Sequence, residues 1–141
     1  MEIQPLTIEE LSKKVRYEHL LVDGMYMRVM HCAKDVVLEG ATHLKAGLAI
    51  LVKGKLIIRE TLYEEPKDIV IEAPCFFIVP EGSKKYGIML EDTTFATVER
   101  TDNTELDKIE KELYAEDLIT NQLLNYNKSI MTLGGKQWVV W

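Results

Sequence analysis

Cysteine and proline are scarce in this chain, and cationic side chains are outnumbered. Its 141 residues hold two cysteines, Cys32 and Cys75, and four prolines. Each cysteine sits in an apolar, strand-like run, so buried reduced thiols are expected rather than a disulfide framework. Lys and Arg total 17 against 23 Asp and Glu, a net charge of −6. Phosphate contacts need clustered cations, so nucleic acid is not an expected partner. No apolar run reaches the roughly 18 residues that a membrane span needs, so no membrane partner is expected either. The opening stretch MEIQPLTIEELSKK places its acids early with no apolar core after them, so export by a signal peptide is not expected. Internal repeats and low-complexity segments are absent.

What remains is a globular balance, 47% apolar and 28% charged, of a length that suits one core. Residues 7–18 predict a helix. Thr7 and Glu10 have capping-box spacing, and Ile8, Leu11 and Val15 share one face. From His19 onward the pattern turns to strands. Asp23-Gly24 between two β-rich runs is a hairpin signal, and Gly54 divides LAILVK from KLIIRE. The runs DIVIEAP, CFFIVPEG, KYGIML and FATVER follow, each bounded by turn residues. About eight short strands between residues 18 and 100 predict an all-β sandwich or barrel. Strands do not alternate with helices, which disfavours a parallel sheet.

Residues 101–104, Thr-Asp-Asn-Thr, are all good N-caps. A helix is expected from Glu105 to about Ile130, with Leu106, Ile109, Leu113, Leu118, Ile119, Leu123 and Ile130 as its apolar stripe. Gly134-Gly135 ends it, and Trp138-Val139-Val140-Trp141 forms an apolar tail. The expected organisation is an N-terminal helix and barrel over 1–103. Residues 104–141 are then either part of the same domain or an arm for oligomerisation.

The central strands resemble the cupin superfamily of small jelly-roll barrels. Its first motif, G-x5-H-x-H-x3,4-E-x6-G, corresponds to ATHLKAGLAILVKG. His43 and Gly54 match, while Ala41 and Gly47 stand for the first histidine and the glutamate. Its second motif, G-x5-P-x-G-x2-H-x3-N, corresponds to PCFFIVPEGSKKYGIM. Pro80 and Gly82 match its turn, Lys85 replaces its histidine, and Pro74 and Met89 replace its glycine and asparagine. The resemblance implies a mainly β, cupin-like jelly-roll barrel with a short N-terminal helix, a longer C-terminal helix and an apolar tail. Of the four ligand positions only His43 is of a metal-binding type, and a lysine would repel a cation. No metal and no cofactor are therefore expected. Residues 36–117 are also similar to a group of cupin-like proteins encoded by tailed bacteriophages, through Gly82-Ser83-Lys84-Lys85, Glu91-Asp92-Thr93 and Thr101-Asp102…Asp107-Lys108-Ile109-Glu110. That likeness implies a phage protein made in the host cytoplasm and carried into a virion or acting as an accessory.

Three readings follow. The first is a non-enzymatic protein that works by homo-oligomeric assembly or by binding other phage structural proteins. Its partner contacts would be Leu113, Leu118, Leu123, Trp138, Val139, Val140 and Trp141, because tryptophan is enriched at interface hot spots. The second is a binder of a small anion or signalling nucleotide, with His43, Lys85 and Tyr86 at the barrel mouth. In the cupin register Lys85 faces inward and Lys84 outward, with Arg28 or Arg59 nearby; the competing role for Lys85 is pairing with Glu81 or Glu91. The third is a metal-free isomerase or epimerase. It ranks lowest, because such chemistry needs a positioned base and acid and the sequence offers only His43 and a tyrosine. His31 is a further residue that the fold would have to bring beside His43.

Overall fold

The computed structural model describes residues 7–61, 65 and 67–115. Two short helices and nine strands follow one another in the order α1 (Ile8–Lys14), β1 (Val15–Val22), β2 (Met25–Cys32), β3 (Val37–Glu39), β4 (Gly47–Lys53), β5 (Lys55–Glu60), β6 (Asp68–Glu72), β7 (Cys75–Val79), β8 (Lys85–Met89), β9 (Thr93–Arg100) and α2 (Leu106–Leu113). Sheet A has the order β1-β2-β9-β4-β7 and sheet B the order β3-β8-β5-β6, with antiparallel pairing throughout. The two sheets enclose one core of Val15, Tyr17, Cys32, Val36, Leu51, Leu56, Ile58 and Met89. The chain is mainly β, and the architecture is the expected jelly-roll barrel.

Local chemistry explains the first corners. Thr7 Oγ1 accepts from the Glu10 amide and Glu10 Oε2 from the Thr7 amide, both at 3.1 Å, so the capping box is formed. The helix stops at Lys14, four residues short of the 7–18 expectation. Val15 begins a strand that pairs with β2 from Val15↔Cys32 to Val22↔Met25. That ladder, with its β-branched and aromatic residues, wins over the helical spacing of Val15. Asp23 and Gly24 close the hairpin, both at positive φ (44° and 78°), as a two-residue turn requires. Gly54 carries the chain from sheet A to sheet B at φ 100°. A Cβ there would fall 2.5 Å from the Asp92 carbonyl oxygen.

The second helix also differs from expectation. Glu105 holds the N-cap position without a side-chain bond, and Tyr114 is already extended (φ −130°, ψ 139°). Among the described residues the helix therefore ends at Leu113 rather than running on to 130. The cause is tertiary: Leu44 N–H donates to the Leu113 carbonyl at 2.8 Å and Ala115 N–H to the Thr42 carbonyl at 2.9 Å, so the chain leaves the helix to bridge His43. The apolar stripe behaves as predicted over this length. Ile109 and Leu113 pack with Tyr26 and Tyr114, and Leu106 and Ala41 lie against them. Both thiols are free; Cys32 is buried and Cys75 half-buried.

Candidate functional site

Strand parity selects what faces the interior. On β2 the even residues Tyr26, Arg28, Met30 and Cys32 point inward; on β9 Phe95, Thr97 and Glu99 do. Arg28, Met30, Phe95 and Thr97 line a cavity of about 120 Å³, joined by His43, Lys85 and Tyr114. Two backbone bonds fix the His43 loop to the Pro80–Gly82 turn: His43 N–H donates to the Ser83 carbonyl and Gly82 N–H to the His43 carbonyl, both at 2.8 Å. The segments carrying the two cupin-like motifs thus meet at the same end of the barrel.

Glu99 organises this end. Its side chain is buried, with 3% of the residue exposed. One carboxylate oxygen accepts the Tyr114 hydroxyl at 2.6 Å and the other lies 3.0 Å from His43 Nδ1. The His43 ring meets Tyr114 edge-on, with centroids 5.2 Å apart. A Cβ on Gly47 would come within 2.6 Å of Glu99 Cγ and 2.7 Å of the Val98 carbonyl oxygen. The glycine at the motif's glutamate position is therefore the space that Glu99 fills, and the carboxylate arrives from the neighbouring strand. The sequence reading missed Glu99 and found no carboxylate beside His43. The available signal was parity within TTFATVER, which puts Glu99 on the face of Phe95 and Thr97. Burial, with Glu99's charge adding to it, holds the Tyr114 phenol well above its ordinary range, so Tyr114 remains a hydrogen-bond donor.

Arg28 is the second centre. It is 7% exposed, and its guanidinium carbon lies 3.9 Å from the centroid of the Tyr114 ring. Nε donates to Tyr26 Oη at 3.2 Å. Nη2 has no hydrogen-bond partner; the nearest carboxylate oxygen of Glu110 is 3.9 Å away, beyond hydrogen-bond reach. Tyr26 Oη also meets His19 Nδ1 at 2.5 Å.

Lys85 points inward, as the cupin register implies, and is paired there. Its Nζ lies 2.9 Å from Glu60 Oε2, touches Ser83 Oγ and sits 5.7 Å from the Phe77 ring centroid. Its partner is thus Glu60, from β5, rather than Glu81 or Glu91. Lys84 pairs instead with Glu39 at 2.6 Å. Tyr86 borders the cavity from the opposite face of β8 to Lys85 and is 39% exposed. Arg59 is occupied by Asp68 at 2.7 Å on the exposed side of β5 and β6. His31 lies on the opposite face of sheet A from Arg28, bonded to Thr94 and Glu18, and does not join His43.

Leu113, expected at a partner contact, is 1% exposed and packed inside its own chain. Leu118, Leu123, Trp138, Val139, Val140 and Trp141 lie outside the described residues. Among the described residues no three His, Cys, Asp or Glu side chains converge. His43 and Glu99 supply one imidazole and one carboxylate, and Lys85 adds an ammonium to the same cavity. That donor set does not fit a transition metal. No helix among the described residues is long and apolar enough to cross a membrane.

No known family's sequence profile matches the chain, and no curated protein sequence does. Solved structures do match in shape. A cupin superfamily protein from Desulfitobacterium hafniense aligns over 63% of this chain and 79% of its own, at 13% identity and a TM-score of 0.51. The cobalt(II) form of HppE in complex with substrate aligns over 68% of this chain and 57% of its own, at 12% identity and a TM-score of 0.51. Hydroxypropylphosphonic acid epoxidase from S. wedmorenis aligns at 13% identity and a TM-score of 0.49, over 58% of this chain. The alignment spans about half (48%) of that epoxidase chain. At these identities the likeness concerns the fold: two antiparallel sheets closed as a cupin-type barrel.

Proposed function

We propose that this chain works by assembly, with two copies packed through the outer face of sheet A where β4 and β7 lie. The observation that carries the reading is an apolar surface left open by the described residues. Phe76 is 83% exposed, Ile78 72% and Leu48 53%. The register pairs Leu48 with Ile78 and Ile50 with Phe76, so all four share one face, and a groove of about 460 Å³ runs along them. Contiguous apolar patches of this kind mark interaction sites.

Charge does not bar a second copy as the occupant of this face. A chain of net charge −6 repels itself at long range. Leu48, Ile50, Phe76 and Ile78 carry no charge, so two such faces meet without placing like charges together. A two-fold contact of this type is isologous, and two sheets packed face to face bury it as a sandwich does. The likeness to phage-encoded cupin-like proteins supports a structural or accessory role in a phage, without catalysis. The donor set around His43 supports a metal-free protein.

Light scattering of the full chain across the micromolar range tests this. The expected result is a dimer that Phe76→Glu combined with Ile78→Glu converts to a folded monomer. A monomer at every concentration contradicts the reading, as does a dimer indifferent to both substitutions.

A further inference from the structure

The barrel interior holds a cation that the described residues around it do not fully satisfy. Arg28 is 7% exposed and lines the cavity. A tyrosine ring covers one side of its guanidinium and a tyrosine hydroxyl takes Nε, yet Nη2 donates to nothing. A buried charge is expensive unless it is paired and hydrogen-bonded. The other charged groups of the cavity are engaged: Lys85 with Glu60 and His43 with Glu99. Among the described residues of the cavity, Arg28 is the cation whose carboxylate neighbour, Glu110 Oε1 at 3.9 Å, stays beyond hydrogen-bond reach of Nη2. A guanidinium presents a planar fork that fits a carboxylate.

We infer that the cavity is a binding site for a small aliphatic carboxylate, with Arg28 as its anchor. Volume sets the size: a cavity of about 120 Å³ suits a short-chain acid. The wall sets the tail: Met30, Leu56, Ile58 and Met89 line the same space and suit an alkyl chain. Charge selects a monoanion over a phosphate dianion, because Glu110 stands 3.9 Å from Arg28 Nη2 and repels added negative charge. The anchor is thus a β2 residue, and His43, Lys85 and Tyr86, the residues to which the sequence points, are secondary. The site is separate from the outer face of sheet A, so its test and the test of assembly succeed or fail independently.

Thermal unfolding of the full chain decides this at constant ionic strength. Butyrate is expected to raise the Tm along a saturating curve. Butyramide, its neutral isostere, and inorganic phosphate are expected to leave it unchanged. Arg28→Gln abolishes the butyrate response and Lys85→Met retains it. Should Arg28→Gln fail to fold, the Arg28 Nε–H resonance of the wild-type chain serves instead and is expected to move on butyrate titration. No saturating rise, an equal response to butyramide, or a static Arg28 resonance overturns the inference.

Discussion

Strand β9 turns Thr97 and Glu99 inward and Ala96 and Val98 outward, and β4 beside it turns Gly47 inward and Leu48 and Ile50 outward. The inward set includes a buried carboxylate; Glu99 is 3% exposed. The outward set continues onto β7, where Phe76 is 83% exposed. A carboxylate in the interior is tolerable because each oxygen has a donor, Tyr114 on one and His43 on the other. Nothing among the described residues does the equivalent for Phe76. The two faces of one sheet therefore mean different things. The inner polarity is largely balanced among the described residues, Glu99 by Tyr114 and His43 and Lys85 by Glu60, whereas the outer apolarity is what the proposed assembly would cover.

Breaking the inner balance has the largest expected effect. Glu99→Ala removes both bonds and leaves the Tyr114 hydroxyl and His43 Nδ1 without this partner, at about 1–3 kcal/mol for each buried group left unsatisfied. Denaturant unfolding of the variant against the parent measures it. Gly47→Ala comes next. Its Cβ would sit 2.6 Å from Glu99 Cγ and 2.7 Å from the Val98 carbonyl oxygen, and overpacking of this kind costs about 1–3 kcal/mol. A neutral Gly47→Ala would show that Glu99 does not occupy that space. On the outer face the expectation is reversed: Phe76→Glu leaves the stability of the isolated barrel within about 0.5 kcal/mol, as exposed substitutions do, while association is lost. A large drop in monomer stability would mean that the face is covered by its own chain.

The smallest effect concerns reactivity. Burial pushes the Cys32 thiol up to about 12, so it stays protonated at neutral and mildly alkaline pH. Alkylation near pH 8 is expected to spare Cys32 until the chain unfolds, which mass spectrometry of the labelled peptides reads directly. The same shift has a sign for stability. The unfolded thiol ionises first, so this contribution is present below the ordinary cysteine range and declines as pH rises through it. Rapid labelling of Cys32 in the folded chain would contradict the packing of β2 against the core.

Much of the barrel was legible because its signals are local. Thr7 with Glu10, Asp23-Gly24, Gly54 and Pro80–Gly82 each impose geometry on their immediate neighbours. The inward direction of Lys85 followed from the cupin register. What escaped depends on strands meeting far apart in sequence. His43 and Glu99 are 56 residues apart, and only the placement of β9 next to β4 unites them. Glu60 reaches Lys85 because β5 pairs with β8. The end of α2 escaped for the same reason, since the bridge from Tyr114 to His43 overrides a stripe that helical periodicity alone would extend. The open face escaped because runs such as LAILV and CFFIV are apolar on both faces, and such a run does not say which of them is covered.

Hydrogen exchange along β7 tests the central claim most directly, because among the described residues β7 ends sheet A and β4 pairs one of its edges. With the full chain at low and high concentration, the account predicts that the amides of Cys75–Val79 gain protection as concentration rises, and that Phe76→Glu combined with Ile78→Glu removes the gain. Exchange at β7 that is independent of concentration would contradict assembly through this face.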